Sequence, residues 1–321
     1  MATRVEQRVD SSSGLRATNN PLVTVVTVTK NVVKHNRVDT LKQCIESVRR
    51  QSYPNIEHLI IDGASDDGTL NILAQYDAEG LLEIHSSPDK GVWDAMDKGA
   101  NLASGEFINF LNSDDYFCDD DAIKLAVEMM SKEDADWFFS GATVLRADGS
   151  RYAFPTSIYG VFSCIGIAHQ TVLVRKEILK SADPFSTRYR TKENYLFMLL
   201  IMNGFKYSYL PDSLVHYREG GFSAIEYGGA NLESTKNDFA DYFHELAGKR
   251  WRMSHSDCYD MFGWQTFGNK ALKHSILLGL KLRLTGLRAD YYKRLISYMW
   301  HDHAMRIVRG LLSSIFARSA L

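Results

Sequence analysis

The sequence predicts an α/β fold, a mixed and mostly parallel sheet flanked by helices, with a helical extension at its C-terminal end. Three observations carry this. Apolar, β-branched runs alternate with helix-period segments from Leu22 to Phe117, and such alternation implies parallel strands joined by right-handed crossovers. Three of the runs end in polar or acidic turns. From about Ile225 the pattern changes to helical stretches rich in aromatic and basic residues.

Leu22 to Thr29 reads as the first buried strand. Arg37 to Arg50 follows with Val38, Leu41, Ile45 and Val48 on one helical face, and Tyr53-Pro54-Asn55 breaks it. Ile56 to Ile61 is a second strand that stops at Asp62-Gly63. Ser65-Asp66 is placed to cap a helix running to about Tyr76. Leu81 to His85 is a third strand, and Val92 to Leu102 a helix. Phe107 to Leu111 is a fourth strand, running into Asn112-Ser113-Asp114-Asp115. Past this point the pattern is less regular. Trp137 to Leu145 and Ser150 to Phe154 read as strands around an Asp148-Gly149 turn, and Asn194 to Met202 as a buried helix. These limits divide the chain into a polar, Ser-rich leader at 1–20, expected to be disordered, an α/β domain at 21–224 and a helical region at 225–321.

The chemistry falls on the loops at the carboxyl ends of the strands, where open α/β sheets bind ligands. Thr29-Lys30-Asn31, Asp62 to Gly68 and Asn112 to Asp115 would meet at one crevice. Adjacent carboxylates repel unless a cation sits beside them. Asp114-Asp115 therefore suggests a hard divalent ion completed by substrate phosphates, against the plainer reading of a capping loop before Asp119. Asp62 either accepts hydrogen bonds from a base or ribose or closes an Asx turn.

Composition narrows the classes. The formal net charge is −2, which gives no global signal for nucleic acid. Residues 270–321 hold ten Lys or Arg against two acids, a net +8, which leaves −10 for the rest. Such asymmetry points to an anionic surface. The four cysteines make no CxxC and no zinc spacing with histidine, as suits a reducing cytosol. The leader has no apolar core of a signal peptide, and no run of about 18 apolar residues reads as a membrane span. Neither GxGxxG after the first strand nor GxxxxGK[ST] is present, so the dinucleotide and P-loop fingerprints are missing.

Five segments together resemble family 2 glycosyltransferases with the GT-A fold, a Rossmann-like sheet. They are VVTVTKN at Val25 to Asn31, IIDGASDDGT at Ile60 to Thr69, DKGVWDAMDKG at Asp89 to Gly99, ASGE at Ala103 to Glu106 and LNSDDY at Leu111 to Tyr116. With His169-Gln170 they are similar to a bacterial subgroup of surface-polysaccharide assembly, over about Pro21 to Ser223. The resemblance implies that Asp62 contacts the nucleobase, with Thr29 and Lys30 flanking it. Asp115 would ligate Mg²⁺ or Mn²⁺, and Asp114 would face the ribose or share the metal. Lys90 would reach the donor phosphates or sugar. The family's base is an Asp opening a later helix; here that position holds Asn194, which leaves Glu193 as base for an inverting attack or as a first-turn acid at the helix N-terminus. His216 and Arg218 would face metal and phosphate.

The resemblance further implies a nucleotide-sugar donor, UDP favoured, and a glycan or lipid-linked acceptor at the cytoplasmic side. The basic tail from Leu272 either lies on an anionic inner leaflet or packs on the catalytic domain. Two other classes stay open: a nucleotide-sugar binder without catalysis, which Asn194 suggests, and a sugar-phosphate nucleotidyltransferase, against which stands the lack of glycine between Thr29 and Val38.

Overall fold

A computed structural model describes residues 20–154, 156, 167–186, 189, 192–220 and 232–248. The leader at 1–19 and the basic tail lie outside the described residues. The described sheet has nine strands. They are β1 (Val23–Thr29), β2 (Ile56–Asp62), β3 (Glu83–Ser86), β4 (Phe107–Phe110), β5 (Tyr116–Phe117), β6 (Trp137–Leu145), β7 (Arg151–Ala153), β8 (Leu173–Arg175) and β9 (Tyr207–Arg218). Their order is β3-β2-β1-β4-β8-β6-β9-β5, with β7 on β6. The first four are parallel, β8 is antiparallel to both neighbours, β6 and β9 are parallel, and β5 runs antiparallel to β9.

The helices are α1 (Val38–Arg49), α2 (Thr69–Ala78), α3 (Val92–Leu102), α4 (Ala122–Glu133), α5 (Lys176–Ala182), α6 (Lys192–Met202) and α7 (Leu232–Phe243). Both sheet faces are covered, and the strands show it by alternation. Val26, Ile61, Ile108, Trp137, Phe139 and Val174 pack in one cluster with residues of α3, α5, α6 and α7. Val25, Phe107, Phe138 and Leu173 pack in a second, against α1 and α4. Ile60 joins Leu41, Ile45 and Leu73 in a third. A strand buried on both faces reads as a continuous apolar run, and this is why β1, β2 and β4 stand out in the sequence. Ala240, Tyr242 and Phe243 of α7 belong to the first cluster, so the described start of the helical region shares the core of the α/β domain.

Three details differ from the sequence expectations. Ser65 and Asp66 do not cap α2; the helix begins at Thr69 after Gly68 in a left-handed turn (φ +93°), and Asp67 Oδ1 accepts from Thr69 N at 3.1 Å. The third strand starts at Glu83 rather than Leu81. Asp114-Asp115 leads into the two-residue strand β5, not into a helix cap, and α4 begins only at Ala122. The sequence reading did not delimit β5, β8 or β9. β9 carries Pro211 at a bulge: its register on β6 slips on either side of Gly141, where a Cβ would lie 2.4 Å from Pro211 O. Proline is tolerated inside a sheet at such bulges.

His58 is buried, its Nε2 3.0 Å from Thr27 Oγ1. Burial penalises the imidazolium and pushes its pKa down to about 3. The folded chain therefore keeps His58 neutral, while the unfolded chain takes up a proton as pH falls below about 6.5. Stability from this group is complete above pH 6.5 and declines toward pH 3, by about 1.4 kcal/mol per pH unit at most. Urea midpoints at pH 7 and 4.5 are expected to differ by less in His58→Gln than in the wild type; equal differences would contradict this account.

Candidate active site

The crevice forms where β1, β2, β3 and β4 end. At the β1–β2 side, Asp62 is fully buried. Its Oδ2 accepts from Ser65 N and Ser86 Oγ, both at 2.8 Å, and its Oδ1 from Ser65 Oγ at 2.5 Å. An ionised carboxylate offers about four lone-pair sites, so most of its capacity goes to shaping the loop. Ser65 Oγ lies 2.7 Å from Asn31 N and Asn31 Oδ1 accepts from Asp66 N, which ties the β1 and β2 loops together. Thr29 Oγ1 is buried with no hydrogen-bond partner among the described residues.

Three strand ends touch at Gly63. A Cβ there would sit 2.1 Å from Asp89 Oδ2 and 3.0 Å from Lys30 Cδ. Only a hydrogen lets Asp89 and the exposed Lys30 close over the loop, where they pair at 3.4 Å. Gly63→Ala is expected to expel Asp89 and lower kcat/KM, by up to about 100-fold if the displacement reaches 1 Å. Steady-state kinetics checks it, and an unchanged value would remove this corner from the site. Lys90 is exposed; its backbone N donates to Asp94 Oδ2 at 3.2 Å, at the start of α3.

The acid pair lies at the β4 end, and its members differ sharply. Asp115 is 0% exposed. Its Oδ1 accepts from Arg218 N at 2.8 Å, and its Oδ2 from Gln170 Nε2 at 2.6 Å and Asn112 Nδ2 at 3.2 Å. Burial, then the neighbouring Asp114 charge, push its pKa up to about 8, while the three N–H donors pull the other way. Asp114 keeps a side chain 15% exposed, with Oδ2 3.1 Å from Arg37 Nη1. Arg218 donates from Nη1 to Asp114 O and from Nη2 to Gln43 Oε1, and its guanidinium lies 5.0 Å from the Tyr116 ring centroid. His216 Nδ1 is 2.7 Å from Tyr116 Oη, which engages it with the neighbouring strand.

Gln170 is itself fixed. Asn109 Nδ2 donates to Gln170 O and Val172 O at 2.9 and 2.8 Å. His169 Nε2 is 3.4 Å from Asn112 Oδ1 and its ring meets Trp93 edge-on at 6.4 Å. Burial keeps His169 neutral, its pKa lowered to about 4. Glu193 lies in the first turn of α6. The preceding Lys192 donates Nζ to Phe185 O at 2.6 Å, and Phe185 packs edge-on against Phe110 at the end of β4. Asn194 Oδ1 is buried without a hydrogen-bond partner among the described residues.

The structure thus gathers Thr29, Lys30, Asp62, Asp114 and Asp115 at neighbouring strand ends. Asn112, expected at this crevice, is there too, and the structure adds Arg37, Gln170 and Asp89, to which the sequence gave no individual role; the DKG and HQ motifs held the signal for the last two. It also separates the duties of the pair. Asp115, the expected cation ligand, is closed off, 0% exposed with one N–H donor on Oδ1 and two on Oδ2, whereas Asp114 is partly exposed beside Arg37. No group of three or more His, Cys, Asp or Glu able to hold a metal exists among the described residues. That donor set does not suit an all-protein cage. It fits Mg²⁺ or Mn²⁺ bound through one carboxylate and completed by phosphate oxygens and water.

A model of the family described as "Glycosyl transferase family 2" matches residues 24–197. A PGL/p-HBAD biosynthesis glycosyltransferase of Mycobacterium bovis is 28% identical over 180 residues, covering 55% of this chain and 68% of the relative. A relative from Bacillus subtilis, named for teichuronic acid biosynthesis (TuaG), is 31% identical over 132 residues, 40% of this chain and 50% of its own. Among solved structures, S. aureus TarS 1–349 in complex with UDP-GlcNAc aligns with TM-score 0.57 at 17% identity, over 84% of this chain and 83% of that one. The mannosyltransferase PcManGT from Pyrobaculum calidifontis, with GDP-Man and Mn²⁺, aligns with TM-score 0.53 at 16% identity, over 88% and 87%. These likenesses place the sheet and its flanking helices in the GT-A fold.

Proposed function

The chain belongs to glycosyl transferase family 2, and from that premise we propose that it is an inverting, metal-assisted enzyme moving a sugar from a nucleotide-sugar donor, UDP favoured, to an acceptor hydroxyl in bacterial surface-polysaccharide or glycoconjugate assembly. The observation that carries the reading is the acid pair at the β4 end, one member buried on three N–H donors and the other turned to the crevice beside a guanidinium. The relative named for teichuronic acid biosynthesis supports the polysaccharide setting, and the solved structures with UDP-GlcNAc and with GDP-Man and Mn²⁺ support donor class and cation.

In this reading Asp62, Thr29 and Lys30 hold the nucleobase end, and Asp62 keeps the loop in shape while doing so. Asp114, rather than Asp115, offers the oxygen for Mg²⁺ or Mn²⁺, and Asp115 holds it in place from beneath through Asn112, Gln170 and Arg218. The bound cation neutralises charge on the departing diphosphate. Lys90 and Arg218 add positive charge for the phosphates, a role guanidinium geometry suits. Glu193 takes the proton from the acceptor hydroxyl. The acceptor is a glycan or a lipid-linked sugar at the inner face of the membrane, and the basic tail supplies the contact. No helix among the described residues is long and apolar enough to cross a membrane.

A panel of nucleotide sugars screened for thermal stabilisation with and without Mn²⁺ tests this directly. Ligand at 100 times its Kd adds about 2.7 kcal/mol of stability, and a UDP sugar with Mn²⁺ is expected to give the largest upward shift. No shift with any nucleotide would end the proposal. A second reading, donor binding without transfer, draws on Asn194 at the family's base position; stabilisation with no transfer to any acceptor would favour it.

A further inference from the structure

Two guanidiniums flank the acid pair, and they are held very differently. Arg218 is locked by Asp114 O, Gln43 Oε1 and the Tyr116 ring. Arg37 has its backbone fixed at the start of α1, with N donating to Val32 O and O accepting from Leu41 N. Its guanidinium, in contrast, has Asp114 Oδ2 as its hydrogen-bond partner among the described residues, at 3.1 Å, and its side chain is 40% exposed. It therefore covers the one carboxylate of the pair that faces the crevice. A half-exposed ion pair of this kind is weak, so the side chain can leave without disturbing the backbone that carries it.

We infer that Arg37 is the resident counter-ion of Asp114 and competes with the divalent cation for that carboxylate, so that the site takes up cation together with a nucleoside diphosphate rather than ahead of it. The inference rests on the cation reading proposed above. With Arg37 in place, a cation arriving alone must displace one positive charge and then sit beside it. The diphosphate brings negative charge for both, which removes the conflict. Arg37 is thus a positioning residue that sets the order of loading.

The test is direct Mn²⁺ binding, followed by the electron paramagnetic resonance signal of the free ion, with and without UDP. Without UDP, Arg37→Gln is expected to bind Mn²⁺ about twofold to fivefold more tightly than the wild type, in proportion to the strength of such an ion pair. Arg37→Lys, which keeps the charge, should stay near the wild type, and UDP should narrow the gap. Melting curves establish that each variant is folded. Mn²⁺ binding that is lost in Asp114→Asn yet no tighter in Arg37→Gln would overturn this inference alone. Binding that survives Asp114→Asn unchanged would overturn the cation assignment itself, and this inference with it.

Discussion

Asp115→Ala is expected to abolish sugar transfer and, at the same time, to lower the melting temperature on the order of 10 °C. The two effects have one origin. The substitution removes the acceptor for Arg218 N, Gln170 Nε2 and Asn112 Nδ2 in a place closed to water. Each buried N–H left without an acceptor costs about 1–3 kcal/mol, and a domain of this size loses roughly 2–4 °C per kcal/mol. The loop from Asn112 to Asp115 then loses the bonds that hold Asp114 toward the crevice, and transfer fails with it. Asp114→Asn separates the causes. Asp114 is partly exposed and its side chain is paired with a half-exposed arginine, an interaction worth about 0–1 kcal/mol, so that variant should lose transfer while melting within a few degrees of the wild type. Calorimetry and a transfer assay on both proteins decide the matter. Full activity in Asp115→Ala, or an unchanged melting temperature, would refute the buried-brace account.

The second large effect is expected at Glu193→Gln. A general base contributes about 10²–10⁴-fold to the rate, so turnover should fall within that range while donor affinity, measured by UDP binding, changes little. If the residue were only a first-turn acid, the change would cost about 0.3–1 kcal/mol at the α6 N-terminus and leave turnover intact. The split between kcat and donor Kd distinguishes the two roles, and wild-type turnover would remove Glu193 from the mechanism. The neighbouring Asn194 makes the experiment informative, because an amide cannot take over as base.

Much of the fold was legible because its signals are local. The runs of β1, β2 and β4 are largely buried on both faces and rich in apolar and β-branched residues, since helices cover both, and the helical period of α1 is plain in Leu41, Ile45 and Val48. Boundaries were less legible where turn chemistry decides them. Gly68, not Ser65 or Asp66, sets the start of α2, because its left-handed backbone ends the loop where Asp67 can receive Thr69 N. The second half of the sheet was opaque for a different reason. β5 and β8 are two and three residues long, too short for a period, and they exist only because longer strands offer them an edge.

The same division runs through the site. That polar and acidic residues stand at the ends of β1, β2 and β4 was legible in the sequence alone, because a strand that must stop at a sheet edge stops at such residues. Which member of the acid pair faces the crevice was decided only in three dimensions. Asp115 is closed off by Gln170, 55 positions away, and by Arg218, 103 positions away, while Asp114 meets Arg37 across 77. Those partners arrive through the antiparallel insertion of β8 and the register of β9 past its bulge at Pro211, opposite Gly141 of β6. Hydrogen bonds across such separations depend on how strands pair, and pairing is a property of the assembled sheet that no short window of residues contains.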